Sequence, residues 1–113
     1  MEKFSLTALA RQQVKLAKDA SSGRSSQTVY GGHEHVLHQT LIALADGQAL
    51  AEHESPGEAT VHVLGGRVRL DAGDVSWDGM AGDLLIVPGV RHTLTALEDA
   101  TVLLTVAKRA RDQ

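Results

Sequence analysis

Two kinds of hydrophobic periodicity divide the chain. Between Ser5 and Ala20 the apolar residues recur every three or four positions, with basic and polar residues between them, which predicts one amphipathic helix. Ser5 suits the N-cap position, and the polar run 21–26, which contains Gly23, is typical of a helix end. We therefore predict an N-terminal helix and linker over residues 1–26, with the helix packed across one end of the domain that follows.

Residues 27–113 are predicted to form a β-domain. After Gly31 and Gly32, turn signals rich in Gly, Pro, Asp and Ser recur about every eight to twelve residues, as in an all-β sandwich or barrel. The predicted strands, about eight in number, are His35–Leu44, Ala49–His53, Glu58–Leu64, Arg67–Asp71, Val75–Trp77, Asp83–Pro88, His92–Leu97 and Thr101–Lys108.

Several of these strands are apolar on both faces. The runs 84–87 and 102–104 are examples, and a strand of this kind is covered on both sides in the folded protein. One face is expected to fill a barrel and the other to meet a second sheet or a second subunit. This pattern predicts a homodimer. Trp77, the one tryptophan, is interpreted as an anchor in a core or an interface.

Composition narrows the function. The 113 residues include no cysteine, which excludes disulfides, thiolate metal sites and a cysteine nucleophile. The net charge is −3 and the basic residues are dispersed, so no nucleic-acid partner is expected. The chain starts without a signal-peptide pattern and has no membrane-length apolar run, so we expect a cytoplasmic protein without a membrane partner. Six histidines are the chemical feature that remains.

Two segments of the chain match a known pair of motifs. In GQALAEHESPGEATVHVLGG, the residues Gly47, His53 and Gly66 occupy positions of a motif that continues with a second His and a Glu; those two positions hold Ser55 and Ala59. In GDLLIVPGVRH, the second motif is matched by Gly82, Asp83, Pro88 and His92, with the turn before the histidine one residue short. By these motifs the chain resembles the cupin family.

The resemblance implies a fold and a class of site. The fold would be all-β, a cupin double-stranded β-helix or jelly-roll barrel, with one N-terminal α-helix. In metal-binding cupins, three His and one Glu hold Fe, Mn, Ni, Zn or Cu, and only His53 and His92 match those ligands here. A further ligand would come from the run that contains His33, His35 and His38, and we name His38 as the candidate. No cofactor is therefore certain, although a divalent metal is one possibility.

Strand alternation separates inward from outward side chains. If Ala59 faces inward, Val61 and Val63 share its face, whereas Glu58 and His62 point outward. The same reasoning directs Arg67 and Arg69 outward. The predicted ligand pocket is lined by His53, Val61, Val63, Arg91, His92 and Leu94, with Arg91 available to hold an anionic group.

Three functions fit these observations. The first is a homodimeric cupin that binds a small molecule in its barrel without robust enzymatic activity, as the missing ligands at Ser55 and Ala59 suggest. The second is a metal-dependent enzyme of the dioxygenase or isomerase type that uses His53, His92 and an upstream histidine. The third is a ligand-sensing partner of a regulator. The ligand and the pathway stay open at this point.

Overall fold

The computed structural model describes residues 2–53 and 57–108, apart from the side chains of residues 51–53. This part of the chain forms one helix and nine strands. Their bounds are α1 Leu6–Asp19, β1 Arg24–Tyr30, β2 Leu37–Leu44, β3 Ala49–His53, β4 Gly57–Gly65, β5 Arg67–Ala72, β6 Val75–Met80, β7 Leu84–Val87, β8 His92–Ala96 and β9 Ala100–Lys108.

The strands form two antiparallel sheets. One has the order β1-β2-β9-β4-β7 and the other has the order β3-β8-β5-β6. Consecutive strands often lie in different sheets, which is the jelly-roll arrangement of two packed sheets. The predicted class, all-β with one N-terminal helix, is confirmed, and each of the predicted strands is present with ends shifted by a few residues.

The two sheets bury their facing side chains against each other. On β4 the inward residues are Ala59, Val61 and Val63, and strand β5 contributes Val68 and Leu70. Val63, Val68 and Leu70 are fully excluded from solvent. Burying a valine or leucine side chain contributes about 1.5–3 kcal/mol, so this apolar layer holds the sheets together.

One side of the barrel is closed by a close approach of strands. Gly79 of β6 is buried, and a Cβ atom at that position would lie 3.2 Å from the side chains of Leu85 and Val63. A glycine therefore lets β6 pack directly on β4 and β7. On the opposite side, the edge strands β1 and β3 are bridged by the side chain of Arg24, whose Nη1 lies 3.5 Å from the carbonyl oxygen of Ala49.

Helix α1 covers the outer face of the five-stranded sheet. Its N-cap is Ser5, as predicted, because the Ser5 hydroxyl accepts a hydrogen bond from the Ala8 amide at 3.2 Å. The helix packs on β1, β2 and β9, where Ala17, Leu41 and Leu103 are buried. The helix therefore lies on a sheet face, and the prediction that it packs across one end of the domain is wrong. On β2, this helix covers the second apolar face, for which a second sheet or a second subunit was predicted. Among the described residues, no helix is long and apolar enough to cross a bilayer.

Asp99 connects three parts of the structure. Its carboxylate accepts a hydrogen bond from the Asp46 amide at 2.9 Å and lies 3.4 Å from the ammonium of Lys18 on the helix. The hydrogen bond from Asp46, followed by the bond to Lys18, lowers the pKa of the Asp99 carboxyl below its ordinary value. The turn between β8 and β9 is thereby joined to both the β2–β3 turn and the helix.

Strand β1 departs from the prediction. Its residues 24–30 were expected to be linker and the start of the β-domain without a strand. The segment contains Val29 and Tyr30 but is otherwise polar, and its side chains alternate between exposed and half-buried. An edge strand that is only half covered leaves such a weak pattern.

Trp77 also differs from a core anchor, because it lies on edge strand β6 and is 46% exposed.

Gly66 is the glycine on which the fold depends most. Its φ is +76°, and a Cβ atom there would lie 2.1 Å from the carbonyl oxygen of Asp99. Gly47 has a similar φ of +86° with no atom within 4 Å of the Cβ position. We predict that Gly66→Ala lowers the free energy of unfolding by about 3 kcal/mol or more, whereas Gly47→Ala costs about 1–2 kcal/mol for backbone strain alone.

Urea denaturation of both variants checks this prediction. Gly47→Ala is the matched control because it changes the same residue type at a similar φ without a collision. Equal losses of stability in the two variants would contradict the assignment of the additional cost to the contact with Asp99.

Candidate functional site

Six strands bring inward-facing positions to one end of the barrel. In the five-stranded sheet, the register aligns His38 with Val106, Val106 with Ala59, and Ala59 with Val87. In the other sheet, the backbone of residue 53 lies opposite His92. Because the connection from β7 to β8 is short, the inward-facing residues of both sheets lie at the same end of the barrel. The side chain of His53 lies outside the described residues.

His92 is the buried polar residue of this end. It is 8% exposed, and among the described residues it is the one buried polar side chain on the inward face of either sheet. Its Nδ1 lies 2.9 Å from the carbonyl oxygen of Val90. Because a carbonyl oxygen only accepts, Nδ1 donates, and the neutral ring then carries its lone pair on Nε2. In this tautomer Nε2 is the ring atom that carries no hydrogen.

The upstream histidines lie at the same end but are oriented by their own loop. His38 shares the inward face of β2, and its Nε2 lies 2.8 Å from the carbonyl oxygen of His35. Its Nδ1 faces Gly31, where a Cβ would lie only 2.8 Å away. The ring of His35 packs on Tyr30 with centroids 4.9 Å apart, and His33 is exposed. Both nitrogens of His38 are thus directed at the 31–35 loop.

The described side chains do not fit a metal centre. Within residues 2–50 and 57–108, no three histidine or carboxylate side chains are placed to share an ion. Ala59 is buried on the inward face at the position where the cupin motif has its glutamate, and its methyl group has no donor atom. Ser55, at the position of the second motif histidine, lies outside the described residues. His92 is the described side chain that matches the motif's ligand set.

The residues expected to point outward do so. Glu58 is exposed and His62 is half-buried on the outer face of β4, opposite Leu84 of β7. Arg69 is paired with Asp78 on the neighbouring strand, with Nε 2.8 Å from Oδ1. This hydrogen bond lowers the pKa of the Asp78 carboxyl. Arg67 is also exposed, so strand alternation predicts all of these orientations correctly.

The remaining predicted pocket residues lie at different depths. Val61, Val63 and Leu94 are buried between the sheets and belong to the packed core. Arg91 is exposed in the turn that leads into β8. His92 is thus the polar group at the level nearest the end of the barrel, while the valines and Leu94 lie beneath it. Their contact with a ligand stays a prediction.

The second motif begins with a turn that aligns β4, β6 and β7. The Gly82 amide donates to the carbonyl of Val63 at 2.8 Å, and the Val63 amide donates to the carbonyl of Asp83 at 2.9 Å. The Asp83 carboxylate accepts from the Met80 amide at 2.9 Å. These residues therefore have a structural role, and they help to set the register that carries β7 toward Pro88 and His92.

Sequence reasoning missed a concave surface on the side of the barrel. A groove of about 290 Å³ lies between β1, β2 and β3 on the side of the barrel. Its lining consists of Arg24, Ser25, Ser26, Thr40, Ile42 and Leu50. Both faces of β1 are mostly polar, so the sequence carries little signal for this strand, and a polar edge strand is hard to distinguish from a linker.

Known structures resemble this fold closely. A conserved protein of unknown function from Streptococcus pyogenes is 28% identical with a TM-score of 0.72, over 81% of this chain and 80% of that chain. An RmlC-like cupin protein from Desulfovibrio desulfuricans is 25% identical with a TM-score of 0.65, over 74% and 81% of the two chains. The chain has the cupin fold.

One structural match extends over the N-terminal helix as well. The TT1209 protein of Thermus thermophilus is 24% identical with a TM-score of 0.76, and the alignment covers 97% of this chain and 100% of that one. A likeness at this identity shows the fold alone. No family model matches the sequence, and no curated protein matches it.

Proposed function

We propose that this cupin binds a small organic molecule at the His92 end of its barrel and acts through binding, without metal-dependent catalysis. The observation that carries the proposal is the burial of His92 on the inward face of an otherwise apolar interior. The hydrogen bond to the Val90 carbonyl compensates the burial of the ring and fixes its orientation. An oriented polar group at the outermost level of the barrel supports a role in recognition.

The surroundings of His92 suit the body of an organic ligand. Val87 and Ala59 are small apolar residues at the same end, and each retains a trace of exposure, while Val106 is half-buried. Val63, Val68 and Leu70, deeper in the core, are fully excluded from solvent. An apolar wall with one polar group that fixes orientation is typical of small-molecule sites.

The proposed role of His92 is to orient the ligand. Its Nδ1 is held by the carbonyl of Val90, so the ring has a defined orientation and offers the ligand a polar group in a fixed position. No step of this function requires a metal.

The binding test uses protein purified without a histidine tag. A library of small organic molecules is screened by thermal shift, and the affinity of each hit is measured for the wild type and for His92→Ala. Loss of a hydrogen bond to a desolvated group costs about 1–3 kcal/mol, so we expect affinity to fall by roughly 10- to 100-fold. Thr95→Ala, a half-buried polar residue on the outward face of the same strand as His92, is the matched control and should leave affinity unchanged.

Metal content decides between this proposal and a metal-dependent enzyme. After reconstitution with Fe, Mn, Ni, Zn and Cu in turn, elemental analysis should find no stoichiometric metal. Metal at one equivalent that disappears in His92→Ala would contradict the proposal. If His92→Ala does not fold, His92→Gln retains an acceptor oxygen near the site and serves the same comparison.

We also propose that the protein is a homodimer through the outer face of β4 and β7. Helix α1 reaches β4 near Leu64 and Gly65, but Leu84 and Ile86 on β7 are 58% and 66% exposed. Beside these residues is a hollow of about 460 Å³, lined in part by Thr60, Ile86 and Ala107. A two-fold axis through this face would let a second copy bury the exposed apolar residues of both chains, so a second copy is the proposed occupant.

Light scattering tests the dimer. The expected mass is twice that of one 12.0 kDa chain. Ile86→Lys should give a monomer, because it places a charge in the apolar contact, while Leu16→Lys on the exposed part of the helix should leave the dimer intact. A wild-type mass of one chain, or an Ile86→Lys variant that stays dimeric, would show that this face is not the interface.

A further inference from the structure

The lateral groove between β1, β2 and β3 combines a cation with an apolar floor. Ile42 belongs to the core cluster and Leu50 packs against it, so the groove reaches the edge of the barrel interior. Arg24 and Ser26 line its β1 side, and no acidic side chain is among its lining residues. The groove opens on the side of the barrel, whereas His92 lies at one end.

Arg24 is the charged group of the groove. Its guanidinium spans from β1 to β3, where Nη1 reaches the carbonyl oxygen of Ala49 at 3.5 Å. This distance is long for a hydrogen bond. Among the described residues, Arg24 forms no ion pair, in contrast to Arg69, which is paired with Asp78. A guanidinium with five N–H donors therefore has capacity for a planar anion.

Two hydroxyl groups add to this polar rim. Ser26 and Thr40 line the groove from the adjacent strands β1 and β2. Thr40 pairs with Thr28, which is two residues from Ser26 on the same face of β1. Neither hydroxyl forms a hydrogen bond with another described residue, while the neighbouring Ser25 donates to the carbonyl of Gln13 beneath the helix at 2.7 Å. Both hydroxyls can donate to an anionic oxygen.

From these observations we infer that the lateral groove is a second binding site, which takes a small carboxylate with an aliphatic body. Arg24 binds the carboxylate through two parallel N–H donors, Ser26 and Thr40 add hydrogen bonds, and Ile42 and Leu50 contact the hydrocarbon part. A guanidinium and a carboxylate match in geometry and charge. This site goes beyond the proposed function because it uses neither His92 nor the end of the barrel.

The experiment is an NMR titration of the ¹⁵N-labelled full chain with hexanoate. Hexanol and hexylammonium, at the same ionic strength, are comparators with the same hydrocarbon body. We expect hexanoate to bind at least about tenfold more tightly than hexanol, because charge-assisted hydrogen bonds are the stronger class. The amides of Ser26, Thr40 and Leu50 should shift with hexanoate.

Two arginine variants test the assignment to Arg24. Arg24→Gln should weaken hexanoate binding by about tenfold or more, since it removes a charge-assisted contact. Arg67→Gln is the matched control, because Arg67 is an exposed strand arginine on the outer face of the other sheet. Thermal melting checks that both variants are folded, and the comparison of hexanoate with hexanol needs no variant.

Each outcome decides the inference. Equal affinity for hexanoate and hexanol, no hexanoate binding, or unchanged binding by Arg24→Gln would overturn it. Shifts confined to His92 and Val87 would also overturn it and would leave the function proposed for the barrel end standing. Conversely, groove shifts that persist in His92→Ala support the second site whatever the outcome at His92.

Discussion

The structure depends on the burial of two strand faces against each other. The facing sides of β4, β5, β8 and β9 supply the apolar residues that exclude solvent, and neither sheet could cover this surface alone. Since side chains alternate along a strand, this burial also determines the register of each strand. A slip by one residue on β8 would turn His92 out of the barrel and Thr93 into it. The position of the candidate site is therefore a consequence of core packing.

The same constraint explains where polar residues are tolerated. Deep in the barrel the inward positions are valine and leucine, and hydroxyl, imidazole and guanidinium groups occur where the barrel meets solvent, at its end and along its open side. His92 is compatible with burial because the Val90 carbonyl accepts from its Nδ1. The groove beside β1 is polar on the side where Arg24 and Ser26 of this edge strand line it.

Much of the barrel could be predicted because its strands obey a period of two. The inward Val61 and Val63 and the outward Arg67 and Arg69 follow from alternation alone. The location of the helix on a sheet face could not be predicted, because an amphipathic stripe shows that a helix is covered but not by which surface. Strand β1 was missed since an edge strand with one open face has little hydrophobic signal.

The site could be predicted only in part for a similar reason. Motif spacing placed position 53 and His92 together, and the backbone register agrees. The orientation of His38 toward its own loop depends on a hydrogen bond to the His35 carbonyl and on the close approach of Gly31, and neither is visible in a pattern of residue types. The groove at Arg24 depends on which strands are edges, which is a property of the complete topology.

The central claim is that the His92 end of this barrel receives an organic ligand and not a metal ion. A crystal structure of untagged protein, grown with a hit from the ligand screen and recorded at the absorption edges of the transition metals, tests it most directly. The account predicts the organic molecule within hydrogen-bond distance of His92 Nε2 and no anomalous signal at that atom. An anomalous peak at about 2.0–2.2 Å from His92 Nε2 would contradict it.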